Sequence, residues 1–345
     1  MAQNKKPGQK PQVITLKAVA EHLGLTPGTV SAVLNEAPSA RSIPQATKSR
    51  IHAAAKELNY RPNFFARTLR KKRTSTIGII VEEIGDTYSS AIISGIEAYL
   101  RQKDYFFLTV VHRHDPQLLN RYSQLLLERG VEGFITVDTT LHDEPSVPTV
   151  AVAGHKKLKG VTNIVLDHHR AAFLALSHLK DLAHKRIAVL RGNPLSSDAD
   201  DRFKAICEVA GELGIGIDPD LAVQIDIDDP TPQLGYPFAK QLLARNKPFT
   251  ALFAYNDISA IGSIRAFQEQ GLLVPRDISV MGFDDIPGAA FHMPSLTTVR
   301  QPLNRMGQVA AQTLLERIEG QEEYPTEIPV EPELVVREST AVAKA

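Results

Sequence analysis

Apolar residues recur with a helical period along Thr15–Arg73, and from Thr76 onward they come in short unbroken runs between helical stretches. Val30, Val33 and Leu34 fall at i, i+3 and i+4, one stripe of a short helix, leaving Thr29, Ser31 and Ala32 on the outer face. Thr26 supplies a hydroxyl N-cap, and Pro27 stands at the first helical position, where its missing N–H costs nothing. Leu16–Leu23 predicts a preceding helix, capped by Thr15 and burying Val19, Ala20 and Leu23, with Gly24-Leu25-Thr26 as a tight turn. Two short helices joined so closely describe a helix-turn-helix, whose second helix would enter the DNA major groove. The same pattern also occurs in helical domains that bind no DNA. Glu36–Ser42, rich in Pro, Ser and Ala, reads as a loop. A third helix follows over Gln45–Leu58, turning Ile51, Ala54, Ala55 and Leu58 toward the other two. Tyr60-Arg61-Pro62 ends it, and Asn63 can cap a further helix over Phe64 to Lys71, too short to stand alone in water.

From Thr76 the pattern becomes β-α-β. Thr76–Val81 is apolar throughout, as a strand buried on both faces should be, and strands and helices then alternate to Ile278–Gly282. Repeated units of this kind predict open parallel sheets covered on both faces, here two, hinged by crossover strands. Thr297–Val299 and a helix over Leu303–Glu319 are expected to return to the first sheet, and a last strand, Glu333–Val336, to the second. The expected organisation is a disordered leader over 1–12, a helix-turn-helix domain over 13–60, a hinge helix and linker over 61–75, and a two-lobed body over 76–338. Lobe one takes about 76–165 and 297–325, and lobe two about 166–296 and 326–338. Ligands of open α/β sheets bind beyond the carboxyl ends of the strands, which here is the cleft between the lobes.

Charge sharpens the division. Residues 1–75 hold fourteen Lys and Arg against three acids, a net of +11; the whole chain has 39 of each, so residues 76–345 carry −11. A basic module fused to an acidic one points to phosphate backbones as the partner of the first. No apolar run is long enough to span a bilayer, and Met1–Gln12 lacks the apolar core of a secretory signal. The single cysteine, Cys207, fits a reducing cytoplasm and reads as a buried, inert thiol in a helix.

Thr15–Arg73 resembles the DNA-binding headpiece of the lactose-repressor/galactose-repressor family of bacterial transcription regulators. The matching pieces are Val19-Ala20, Leu25-Thr26, Thr29-Val30-Ser31, Val33-Leu34-Asn35, Thr47, Glu57 through Asn63, and Ala66-Arg67-Thr68-Leu69. The resemblance continues through Arg202-Phe203-Lys204, Asn256-Asp257, Asp277-Ile278-Ser279-Val280, Gly282-Phe283-Asp284-Asp285 and Pro294–Val299, to Arg337–Thr340. It implies a small all-α headpiece and hinge helix, then a two-lobed body with the periplasmic-binding-protein fold. It also implies a homodimer whose paired hinge helices fold in the minor groove of a palindromic operator. Leu69 would wedge between base pairs, Ala66 would admit the backbone, and Arg70 with its basic neighbours would meet phosphates. DNA contacts are expected at Thr15, Leu16, Thr26, Pro27, Gly28, Thr29, Ser31, Ala32, Asn35, Thr47, Tyr60, Asn63, Ala66, Leu69 and Arg70.

The resemblance places a small effector, sugar-like or another polar metabolite, against Tyr88, Arg202, Asn256 and Asp284, and Asp198 at the cleft rim is expected to join them. A guanidinium fork, an amide and carboxylates suit hydroxyl groups. Asp257 and Asp285 read instead as structural caps. Departures from the family pattern leave the ligand unnamed: Ile227 stands where an aromatic often stacks, Ala153 replaces an acid, and Asp200, Asp201 and His155 crowd the cleft rim. Pro27, Gly28 and Ala32 make no bidentate base contact, so base selection falls to Thr26, Thr29, Ser31, thymine-methyl contact and DNA deformability. The sequence thus reads as a cytoplasmic repressor with no cofactor, no metal and no membrane partner. A ligand sensor with a vestigial headpiece would have no use for Asn63, Ala66 and Leu69. An α/β enzyme would show a nucleotide loop, nucleophile elbow or metal-spaced His/Cys set, and none is present.

Overall fold

The computed structural model describes residues 14–344 apart from 61–72, 155, 195, 197, 228, 321 and 322. It divides into two compact units, Met1–Thr74 and Ser75–Ala345.

The first unit holds α1 (Leu16–Leu23), α2 (Pro27–Leu34) and α3 (Gln45–Glu57). The Thr15 hydroxyl accepts from the Ala18 N–H at 3.2 Å, and Gly24, at φ +66°, closes α1 by donating to the Ala20 and Glu21 carbonyls. Val19, Ala20, Val30, Val33, Ile51 and Ala54 form the small core. Glu36–Ser42 departs from an open loop, because Pro38–Ser42 is a 3-10 turn. The Ala37 N–H bonds the Ala32 carbonyl at 2.9 Å, and the turn folds back onto α2. Ala40 and Ala32 share the core, so Ala32 is buried rather than on the outer face. The expected helix over Phe64 to Lys71, with Asn63, Ala66, Leu69 and Arg70, and the leader lie outside the described residues.

The second unit contains two six-stranded sheets. The first carries β1 (Thr76–Val81), β2 (Phe106–Val111), β3 (Phe134–Val137), β4 (Thr149–Val152), β5 (Val161–Leu166) and β11 (Glu327–Val330), in the order β11-β5-β4-β3-β1-β2 and parallel throughout. The second carries β6 (Ile187–Arg191), β7 (Ala222–Gln224), β8 (Ala251–Phe253), β9 (Ser279–Asp284), β10 (Thr297–Arg300) and β12 (Glu333–Val335), in the order β12-β10-β9-β8-β6-β7. Among the described residues only the β10–β12 pair is antiparallel.

Two strand assignments from the sequence are corrected. Thr297–Val299 belongs to the second sheet, where Thr297 pairs in register with Met281, and only the following helix returns to the first. Residues 327–330 belong to the first sheet as β11, not to the second lobe. Pro329 conceals that strand in the sequence; β11 is tolerated because it is an edge. The chain therefore crosses between lobes after β5, after β10 and between β11 and β12.

Helix α4 (Thr87–Gln102) packs against α11 (Leu303–Ile318) on the first sheet. They approach at two glycines: a Cβ on Gly95 would strike the Asn304 carbonyl, and one on Gly307 the Ile92 carbonyl. The remaining helices are α5 (Pro116–Glu128), α6 (His168–Asp181), α7 (Ala199–Glu212), α8 (Tyr236–Ala244), α9 (Asp257–Glu269) and the short α10 (Pro287–Phe291). Cys207 lies on the exposed face of α7, against the expectation of a buried thiol. Arg202, Ala205, Ile206, Val209 and Ala210 fill the buried face of that helix.

Candidate functional site

The helix-turn-helix surface is shaped by its caps. Thr26 accepts from the Thr29 N–H at 3.2 Å, and the two hydroxyls lie 2.9 Å apart. Asn35 closes α2, its Nδ2 donating to the Ser31 carbonyl at 2.8 Å and to the Ser31 hydroxyl at 3.2 Å. Thr15, Thr26, Pro27 and Gly28 are exposed, Leu16, Thr29, Ser31, Asn35, Thr47 and Tyr60 half-buried. Of the expected contacts in this fold, burial removes Ala32.

In the second unit a cavity of about 180 Å³ opens between the two sheets at the carboxyl ends of their strands. A water needs roughly 10–15 Å³ by this measure, so the space suits a small solute with many polar contacts. All five residues expected there line it: Tyr88, Asp198, Arg202, Asn256 and Asp284.

Arg202 is the pillar of the second-lobe wall. One terminal nitrogen donates to Asp198 Oδ2 at 2.8 Å and the other to the Tyr255 carbonyl at 2.7 Å. Its guanidinium lies over the Phe283 ring, 3.9 Å from the centroid, and 4.7 Å from that of Tyr255. Nε is buried without a partner. Asp198 is also met by His168 Nε2 at 3.1 Å. Asp284 ends β9 with φ +105°, and Gln301 Nε2 donates to its Oδ1 at 2.6 Å. Burial pushes the Asp284 carboxyl up to about 7; Arg202 and Gln301 pull down, while Asp198 and Asp86 push up. Asn256 spends Oδ1 as the N-cap of α9, accepting from the Ser259 N–H at 2.9 Å, which leaves its amide nitrogen for a ligand. The Tyr88 and Tyr255 phenols are both raised by burial and held neutral.

Other lining residues were not picked out in the sequence. The first lobe adds Glu82, Glu83, Asp86 and Asp138, with His114 2.5 Å from Glu82. The second adds Asp229, Ser196 and Tyr255, whose hydroxyl donates to Ser196 at 3.0 Å. Asp86 caps α4 through the Ser89 N–H at 2.6 Å, and burial pushes its carboxyl up to about 6, with Asp138 and Glu83 adding to the rise. The available signal was position, since Glu82, Asp138 and Asp284 all stand at strand ends. Asp257 and Asp285 are structural. Thr298 and the Ile286 N–H hold Asp257, and Arg300 and Arg337 hold Asp285. Asp200 and Asp201 face solvent and do not line the cavity, and His155 lies outside the described residues. Ile227 lines the cavity, whereas Ala153 is buried and is not among its lining residues.

A helix-turn-helix unit joined to a two-lobed α/β body with a polar cleft defines a DNA-binding regulator. Residues 15–63 match the model of bacterial regulatory proteins of the lacI family, and residues 176–340 that of a periplasmic binding protein-like domain. The transcriptional repressor PurR of Haemophilus influenzae is 32% identical over 94% of this chain and 98% of that protein. The chain belongs to the LacI family. The lac repressor dimer bound to operator and the anti-inducer ONPF superposes with a TM-score of 0.85 at 28% identity, covering 96% of this chain and 100% of that one. A LacI-family regulator from Enterococcus faecium with bound ribose gives 0.69 at 27% identity, covering 78% and 100%. This chain is accordingly a DNA-binding transcriptional repressor and not an enzyme. Among the described residues no helix is long and apolar enough to cross a membrane.

Proposed function

We propose that the protein acts in the cytoplasm as a homodimer, binds a palindromic operator, and is controlled by a small polar effector held between its lobes. The observation that carries the effector reading is the convergence of Tyr88, Asp198, Arg202, Asn256 and Asp284 on one cavity. Solved relatives hold ribose or cellobiose, and the lac repressor binds its operator as a dimer. Exposed Phe106 on the first lobe, and Phe291 and Met293 on the second, offer apolar surface to a second copy. Half-sites related by two-fold symmetry follow from such a dimer.

Operator bases would meet Thr26, Pro27, Gly28, Thr29 and Ser31, with Thr15, Leu16, Asn35, Thr47 and Tyr60 toward the backbone. Asn63, Ala66, Leu69 and Arg70 would form the minor-groove element. Most of the positive charge belongs to the leader and residues 61–73, because residues 14–60 hold only five Lys and Arg against three acids. Phosphate attraction would therefore come mainly from the flanks of the helix-turn-helix.

The test is selection of genomic fragments by the full-length protein, followed by footprinting of the best binder. The expected result is a protected two-fold symmetric site whose affinity falls steeply with salt. Asymmetric protection by a monomer, or no enrichment of any sequence, would sink this reading.

A further inference from the structure

The charge of the cleft is lopsided. Seven carboxyl groups line it: Glu82, Glu83, Asp86 and Asp138 from the first lobe, Asp198, Asp229 and Asp284 from the second. The only cationic or potentially cationic side chains on that wall, among the described residues, are Arg202 and His114. Both are committed. Arg202 is paired to Asp198, bound to the Tyr255 carbonyl and pressed against two rings, and His114 sits against Glu82. Outside the wall, Arg113 approaches Glu83 only to 3.9 Å. An anionic ligand would add to this charge with no spare cation among the described lining residues to receive it.

Resting on the effector reading above, we propose that the ligand is a small organic cation, an amine that also carries hydroxyl or carbonyl oxygens, held between Asp86 of the first lobe and Asp284 of the second. Gln301 reaches only one oxygen of Asp284, so the other remains for an ammonium N–H. Arg202, a residue 6% exposed that lines the cavity, also leaves its buried Nε without a partner among the described residues. Tyr88, Ser196 and the Asn256 amide supply further hydrogen bonds to hydroxyls. A bare metal ion does not answer the description, since among the described residues no group of three or more His, Cys, Asp or Glu side chains is placed to hold one. Burial raises the Asp86 carboxyl despite its Ser89 hydrogen bonds, and the Asp284 carboxyl despite the pull of Arg202.

Equilibrium dialysis of the full-length protein at pH 8 tests this. The probes are a defined mixture of amino sugars, amino alcohols and diamines, each with its neutral hydroxyl analogue and its carboxylate analogue, and retained compounds are read by mass spectrometry. The expected outcome is retention of a cation over its neutral analogue, with about tenfold or greater loss of that retention in Asp284→Asn. The variant's melting temperature must match or exceed wild type for the loss to count, and Asp86→Asn, which keeps the cap oxygen, gives an independent second reading. Preferential retention of a neutral or acidic compound, or of nothing, overturns the proposal. Each retained compound is then added to the selected operator fragment. A neutral compound that shifts the affinity removes the charge assignment and keeps the effector reading. A retained cation that shifts nothing supports the charge assignment and removes the effector reading.

Discussion

Asp284→Asn should make the ligand-free protein more stable at pH 8, and progressively less so toward pH 4. Asp284 is buried, and the charged groups facing it are Arg202 and Asp198 of α7 and Asp86 at the start of α4, with Asp257 of α9 behind. Its carboxyl titrates in the folded protein near 7 rather than 3.8. The folded state thus holds the proton more tightly than the unfolded chain. Below about pH 3.8 both forms are protonated and the site costs nothing; the penalty grows through the window up to about pH 7 and is constant above it. Ionising such a carboxyl at pH 8 costs on the order of 4 kcal/mol of stability. Asn stays neutral at every pH, keeps an Oδ1 for Gln301, and tolerates a positive φ better than most residues. For a unit of this size about 2 °C per kcal/mol is expected, so the variant should melt roughly 5–10 °C above wild type at pH 8 and converge with it near pH 4. Differential scanning calorimetry across that range is the assay. A variant that melts below wild type at pH 8, or by a constant offset at all pH values, would show that Asp284 is a stabilising counter-ion of Arg202.

In effector titrations against a labelled operator, Asp284→Ala and Arg202→Ala should each raise the midpoint by one to two orders of magnitude, since a charged hydrogen bond is worth about 1.5–3 kcal/mol; an unmoved midpoint would place the ligand elsewhere. Residues 75–345 expressed alone should fold and still bind ligand by calorimetry but lose DNA affinity, because the +11 segment is gone; a gel shift by that fragment contradicts the division of labour. Gly307→Ala should cost about 1–3 kcal/mol or more by forcing α11 off α4 at the Ile92 carbonyl, and an unchanged denaturant midpoint would mean the helices separate freely.

What was legible in the sequence was local. Thr15, Gly24 and Thr26 carry cap and turn signals that act within one helical turn, and the structure puts those residues at those caps. Thr76–Val81 and its counterparts declare buried strands by unbroken apolar character. Whatever depends on a partner distant in the chain was hidden. Ala32 lies outside the stripe of Val30, Val33 and Leu34, yet the 3-10 turn over Pro38–Ser42 covers it. Glu327–Val330 carries a proline that hides a strand, and its sequence gives no sign that an edge beside β5 in the first sheet, rather than the second lobe, accepts it. In the cleft, the second-lobe residues came from local motifs around Arg202, Asn256 and Asp284. Asp86 and Asp138 belong to no motif; they become site residues because β1 and β3 are neighbours and end at the same level. The stacking of Arg202 on Phe283 and Tyr255 needs three elements to meet, and no spacing rule reports it.

The placement of charge on both lobes bears on control as well as on ligand choice. A ligand shifts operator affinity only if it favours one lobe arrangement over another. Asp86 and Asp138 stand on the first lobe, Asp198, Asp229 and Asp284 on the second, and Asp86 already raises the Asp284 carboxyl across the gap. Like charges on facing walls of a partly buried cleft repel by a few kcal/mol at an effective dielectric of about 20, and burial limits their screening by salt. Drawing the lobes together without a counter-ion therefore opposes itself, whereas a cation between them turns the same charges into an attraction to both walls. A difference of about 3 kcal/mol changes a two-state population ratio by about a hundredfold. A neutral ligand leaves the repulsion in place and must close the cleft through hydrogen bonds alone. In this cleft the ligand's charge would supply selectivity and coupling together, through the same pair of carboxylates.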